Sequence, residues 1–173
     1  MNAARRGRPT FGPLPSGPGN GPLFALVAIG CFAAIGVALV SQHVYGMEPC
    51  PWCVLQRLIF LAIAVFAVLG LVWRGPAGSR VAGTFALLLA VAGIAAALWQ
   101  HFVAAKSASC NLTLADRIMN ATQLDRLLPD VFEARANCAE AAVDLLGVPY
   151  AIWSALAFLV CAVVLLRILR KSH

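Results

Sequence analysis

Charge is scarce in this chain. Charged side chains make up 12% of its 173 residues and hydrophobic ones 61%, whereas an ordinary soluble domain carries about 25% charged residues. A water-soluble globular fold is thereby excluded and an integral membrane protein expected. The charges also avoid mixing. Acidic residues are absent before the first apolar run, between the second and third, and after the fourth, where Arg5, Arg6, Arg8, Arg74, Arg80, Arg167, Arg170 and Lys171 stand. Lys and Arg are absent in turn from 42–51. Basic residues gather on the cytoplasmic side of membrane segments, so the pattern predicts cytoplasmic termini and a cytoplasmic middle loop. The net charge of +6 is then a topology signal and gives no support to nucleic-acid binding. A small-x-small cleavage site is also missing after the first run, which is therefore expected to stay as a helix instead of being removed as a signal.

Four apolar runs, at about 23–41, 54–73, 81–102 and 148–166, approach the length of about 20 residues that crosses a bilayer. They predict an all-α membrane protein, a four-transmembrane-helix bundle over 23–167. Its outer loops fall at 42–53 and 103–147, the longer one containing short helices. Residues 1–22 read as a disordered cytoplasmic tail and 168–173 as a short one. Between Leu112 and Phe132 apolar residues recur among polar ones, which predicts an amphipathic helix on the membrane surface, ending near Pro129. Asn137 with Glu140 makes a capping pattern and Gly147 with Pro149 a stop, so a second short helix is expected between them. Gly30 with Ala34, and Gly93 with Ala97, have the spacing that lets helix backbones approach. Tyr45, Trp52, Trp99, Tyr150 and Trp153 near the loop ends, and Trp73 at the other, are expected as interfacial anchors, a minority of them also walling a flat ligand.

The chemistry gathers where Cys50-Pro51-Trp52-Cys53 runs into the second apolar segment. A c-type haem site needs His directly after the second cysteine, and Val54 stands there. Zinc needs four converging ligands, which Cys50, Cys53, Cys110 and Cys138 would have to supply, but outside the cytoplasm such thiols favour disulfides, and no metal is expected. Redox exchange draws more features together. Pro51 suits the first turn of a helix, placing Cys53 among unpaired N–H groups that favour a thiolate. Arg57, four residues on, shares its face. An arginine costs about 2.5–3.5 kcal/mol at the bilayer centre, so a function is expected for it: stabilising the Cys53 thiolate and the negative charge arriving on an acceptor. Cys110 and Cys138 offer a second pair, though a purely structural disulfide between them is an open alternative. Two pairs can relay electrons by thiol–disulfide exchange to a two-electron acceptor that dissolves in lipid, for which a quinone is suited. His101, Gln100 and Gln56 are candidates to contact it, and His43 a weaker one. Cys31 and Cys161 fall inside helices and are expected to be small apolar packing residues.

These residues resemble the bacterial disulfide bond formation protein B family, DsbB. The resemblance rests on Gln42-His43-Val44, on Glu48-Pro49-Cys50-Pro51-Trp52-Cys53-Val54-Leu55-Gln56-Arg57, on Cys110 with Cys138-Ala139-Glu140, and on Leu146-Gly147 through Pro149 to Trp153. It implies a multi-pass oxidoreductase of the bacterial inner membrane, in contact with membrane lipid. Cys110 would be attacked by a reduced periplasmic thioredoxin-fold partner of the DsbA type. Cys138 would be its mate and pair transiently with Cys50, while Cys53 meets ubiquinone or menaquinone beside Arg57. A His at position 101 matches the family loosely, and the family varies at Gln56. A vitamin K epoxide reductase-like protein combines similar parts, but there the loop cysteines precede the Cys-x-x-Cys pair. A non-enzymatic membrane scaffold stapled by disulfides or zinc is the alternative from another class.

Overall fold

The computed structural model describes residues 19–73, 75–106 and 114–171. The expectations for the tail over 1–18 with its arginines, for Arg74 and for Cys110 lie outside the described residues. In chain order the elements are α1 (Gly21–Tyr45), α2 (Pro51–Val72), α3 (Pro76–Phe102), a 3-10 turn (Ala104–Lys106), α4 (Leu114–Thr122), α5 (Leu124–Leu127), α6 (Pro129–Phe132), β1 (Asp144–Leu145), β2 (Val148–Pro149) and α7 (Tyr150–Lys171). Helices α1, α2, α3 and α7 are each long and apolar enough to cross a membrane, and the protein is an all-α, multi-pass membrane protein.

Two of these helices begin three or more residues earlier than the apolar runs suggest, α2 at Pro51 and α3 at Pro76. In both a proline takes the first helical position, where its missing N–H is not needed; hydropathy registers the apolar run and not this cap. Helix α1 runs on to Tyr45 and ends at Gly46, whose φ of 66° supplies the left-handed stop.

The core lies between the four long helices, with Phe60 of α2 stacked on Phe158 of α7 at 3.8 Å between ring centroids. Gly93 of α3 makes that stack possible: a Cβ there would stand 2.5 Å from the Phe158 ring. Gly30 differs. Nothing lies within 4 Å of its Cβ position, so it faces away from the packed side of α1. Small-residue spacing marks a face, and only the packing says whether a neighbour uses it. Helix α1 packs chiefly on α2, and α7 chiefly on α3, so the α1–α7 seam is the least packed side of the ring.

The long loop departs from its expected helices. The amphipathic stretch breaks into α4, α5 and α6, with Gln123 at φ 53° between the first two and Pro129 opening the third, not closing the stretch. Its buried residues Ala115, Met119 and Phe132 pack on the head of α2 together with Trp52, Val54 and Leu55, so much of its apolar face is spent on protein and not on lipid. Trp52 is accordingly buried and is not an interfacial anchor. The Asn137 cap forms, its Oδ1 accepting from Ala139 N at 3.1 Å and Glu140 N at 2.9 Å. No helix follows. The chain turns instead into a two-residue hairpin in which β1 pairs with β2 around Leu146 and Gly147, both left-handed at φ 57° and 77°.

Gly93→Ala is expected to lower thermal stability in detergent by about 1–3 kcal/mol, because the Phe158 ring it would strike is held by Phe60. Gly30→Ala is expected to be neutral or mildly stabilising through helix propensity. Thermal unfolding of both variants checks the pair.

Candidate active site

Helix α2 opens with Cys50 as its N-cap and Pro51, which has no N–H, in the first position. The next two backbone N–H groups have no helical carbonyl to bond, and both face sulfur. Cys53 N–H donates to Cys50 Sγ at 3.3 Å, and the Trp52 N–H faces the sulfur of Cys138, where it favours the thiolate. Cys138 is delivered there by its own loop, where Arg135 N and Ala136 N both donate to Pro49 O, at 3.0 and 3.3 Å. The Cys50 and Cys53 sulfurs stand 2.9 Å apart, and every described cysteine is a free thiol. Cys50 is fully buried between the other two.

Electrostatics separate these thiols. The hydrogen bond between Cys138 and Cys50 pushes the Cys50 thiol far above its ordinary range, and the contact with Cys53 and burial push the same way. That same bond from Cys50 holds Cys138 below the ordinary thiol value, against its partial burial and the nearby Cys53 and Asp116; the Trp52 N–H assists. Cys138 is therefore the better nucleophile of the two.

Cys53 was expected to profit from the helix N-terminus, but its sulfur takes its hydrogen bond from α3: Gln100 Nε2 lies 3.0 Å away, and 3.5 Å from Cys50 Sγ. Gln56 Nε2 donates to Gln100 Oε1 at 2.5 Å. With its oxygen so engaged, the Gln100 amide must turn its nitrogen to the sulfurs. Both glutamines are buried.

Arg57 is buried at 5% exposure, about 9 Å along α2 from its first residue. Three N–H donors are spent on fixed acceptors: Gln42 Oε1 at 2.7 Å, Val131 O at 2.8 Å and Ala38 O at 3.3 Å. It thus ties α2 to α1 and to the loop at α6. Loss of the guanidinium would leave Gln42 Oε1 and Val131 O short of a donor, at about 1–3 kcal/mol for each one left unsatisfied, while Ala38 O keeps its helical partner.

Cys53, Gln56, Arg57 and Gln100 all border one cavity of about 220 Å³ inside the loop end of the bundle. Its walls include Ala34, Val37, Phe60, Trp153 and Ala157. Cys50 and Cys138 stand behind Cys53 and off the cavity wall. His101 borders a separate, smaller cavity with Lys106 and Asp144 and rests edge-on against Phe102, while His43 is exposed. Gln42, which holds Arg57, and Gln100, which faces Cys53, are the site residues least visible in the sequence. The usable signal for both was a polar side chain at the end of an apolar helix, which reads equally well as an interfacial residue.

A family model described as "Disulfide bond formation protein DsbB" matches residues 20–168. The chain belongs to the DsbB family. Among similar proteins, Disulfide bond formation protein B 1 of Pseudomonas savastanoi pv. phaseolicola is 38% identical over 141 residues, covering 80% of this chain and 82% of that protein. Disulfide bond formation protein B of Paracidovorax citrulli is 33% identical over 153 residues, covering 87% of each. The protein of that name from Ralstonia nicotianae is 35% identical over 150 residues, covering 82% of this chain and 89% of its own length. DsbB membership brings both the Cys50–Cys53 head of α2 and the Cys138 loop inside the matched region.

In the reduced protein, Cys138 is expected to be alkylated at pH values below the ordinary thiol range, and Cys50 to stay unreactive well above it. In Cys50→Ala the largest influence lowering Cys138 is gone, so its reactivity should shift to higher pH. Alkylation rates across a pH series, read by peptide mass mapping, check both directions.

Proposed function

We propose that this protein reoxidises a periplasmic dithiol protein of the DsbA type and passes the electrons to a membrane quinone, from a site in the bacterial inner membrane. The coarser statement follows from its family: it is a membrane oxidoreductase of disulfide bond formation. One observation carries the finer reading. Cys50 touches Cys53 on one side and Cys138 on the other, and Cys53 borders the cavity. A relay needs this order: one sulfur toward the loop, one toward the acceptor, and a shared neighbour between.

The residues present fit a quinone. The cavity walls on α1 and α7 are mainly apolar, with Ala34, Val37, Ala38, Trp153 and Ala157 beside Ser41 and Ser154, as suits a ring dissolved in lipid. Glu48, Gln56, Arg57, Gln100 and Cys53 add polar groups to its lining. Arg57 and Gln100 would hold the polar edge of the ring, and Phe60, Trp153 and Ala157 its faces. When bound, a quinone supplies a lipid-soluble acceptor for two electrons and two protons.

The chain's own residues set the direction of exchange. With Cys110 and Cys138 as a disulfide, a reduced partner's thiolate attacks Cys110 and releases Cys138 as a thiolate, which the Cys50 and Trp52 donors favour. The partner's second thiolate then frees Cys110. Cys138 next attacks Cys50 of a Cys50–Cys53 disulfide and releases Cys53 as the thiolate that accepts from Gln100. Attack by Cys110 on Cys138 restores the loop disulfide and frees Cys50. Two electrons then rest on Cys50 and Cys53, beside the cavity. Cytoplasmic termini belong to the same proposal, supported by Arg80, Arg167, Arg170 and Lys171 at the bundle end opposite the thiols.

Purified protein given a reduced thioredoxin-fold dithiol protein and a quinone is expected to bleach quinone absorbance catalytically. Cys53→Ser should abolish this. Gln100→Ala removes one hydrogen bond to a thiolate, worth about 1.5–3 kcal/mol, and should slow quinone reduction by about 10- to 100-fold. Normal turnover of Cys53→Ser would overturn the mechanism, and bound zinc with no turnover would favour the scaffold reading.

A further inference from the structure

Cys31 and Cys161 take no part in the relay, and their placement goes beyond packing. They lie on α1 and α7, 130 residues apart in sequence, with sulfurs 3.9 Å apart. That is van der Waals contact between two thiols. Both are in the core between the helices, at 0% and 7% exposure. The α1–α7 seam that they bridge is the least packed side of the bundle.

Their position relative to the cavity adds a second observation. Ala34, three residues from Cys31, and Ala157, four residues from Cys161, both border it. Each cysteine is therefore about one helical turn beyond the cavity on the same face of its helix, with the stacked Phe60 and Phe158 beside the pair. A charged oxidant is kept from thiols so buried, whereas a neutral one that enters lipid and occupies the cavity comes within a turn of them.

We propose that Cys31 and Cys161 are a third dithiol–disulfide pair, inside the membrane, oxidised by the quinone that the neighbouring cavity takes, and that their disulfide ties α1 to α7 at the cavity floor. The proposal rests on the quinone reading above. Two S–H bonds break and one S–S bond forms; two electrons and two protons leave the thiols, and the acceptor departs as the quinol. The tie falls on the seam where a ligand arriving from lipid meets least protein. The oxidised protein is thus the slower to take up quinone.

The test uses the full-length protein in lipid nanodiscs, fully reduced, then exposed in separate arms to a short-chain quinone and to diamide, with thiols trapped by alkylation and mapped by mass. In the quinone arm the expected result is loss of both alkylation sites at 31 and 161 and a cross-linked peptide joining them, absent from Cys31→Ala and Cys161→Ala. The cross-linked protein should show a several-fold lower kcat/KM for quinone than Cys31→Ala, with kcat unchanged. The proposal is overturned if Cys31 and Cys161 stay alkylatable while Cys50 and Cys53 of the same sample are oxidised, and its gating role is overturned if kcat/KM is equal. If quinone oxidises none of the four, the quinone reading fails, and the diamide arm decides the pairing: a cross-link supports it and free thiols overturn it.

Discussion

Two backbone N–H groups in the first turn of α2 have no carbonyl within their own helix, and the site is arranged around the sulfurs that face them. Pro51 contributes no donor, which leaves Trp52 and Cys53. The Cys53 N–H donates to Cys50, and the Trp52 N–H faces Cys138. Arg135 N and Ala136 N are anchored on Pro49 O, just ahead of α2, and Cys138 packs against the head of that helix, so this part of the long loop lies over the bundle end. Had the loop been tied elsewhere, the Cys50–Cys53 pair would stand in the membrane edge with no second thiol beside it.

Arg57 performs the complementary task from below. Its buried guanidinium finds acceptors on α1, on Gln42 and on the loop at Val131. This accounts for a charge inside an apolar helix more fully than snorkelling to headgroups would. It also changes the reading of the residue. Arg57 borders the cavity and clamps three elements there, so its structural and electrostatic roles cannot be removed separately. Gln100 is the narrower handle on Cys53, since its amide is oriented by Gln56 and has no comparable structural load.

Much of this was legible in the sequence, because the bilayer makes hydropathy nearly decisive. Four apolar runs became four helices, and Pro51 marked the helix start that puts Cys50 at the N-cap. The loop was legible only in part. Asn137 and Glu140 make their capping bonds, yet left-handed Leu146 and Gly147 turn the chain into a hairpin, and local propensity yields to that closure. Contacts between residues distant in sequence were not legible at all. Nothing local to Cys31 or Cys161 shows that they touch, and nothing in Trp99-Gln100-His101 shows that the glutamine faces sulfur while the histidine faces a different cavity.

The central claim is that Cys50 is the shared neighbour through which the loop pair and the membrane pair exchange. It is tested most directly in a double variant, Cys53→Ser with Cys110→Ser, in which Cys50 and Cys138 each lose their other partner. Peptide mapping of the purified double variant without reductant should find a Cys50–Cys138 disulfide as its main cross-link. Free thiols at both positions, or Cys138 joined only to another molecule, would contradict the account.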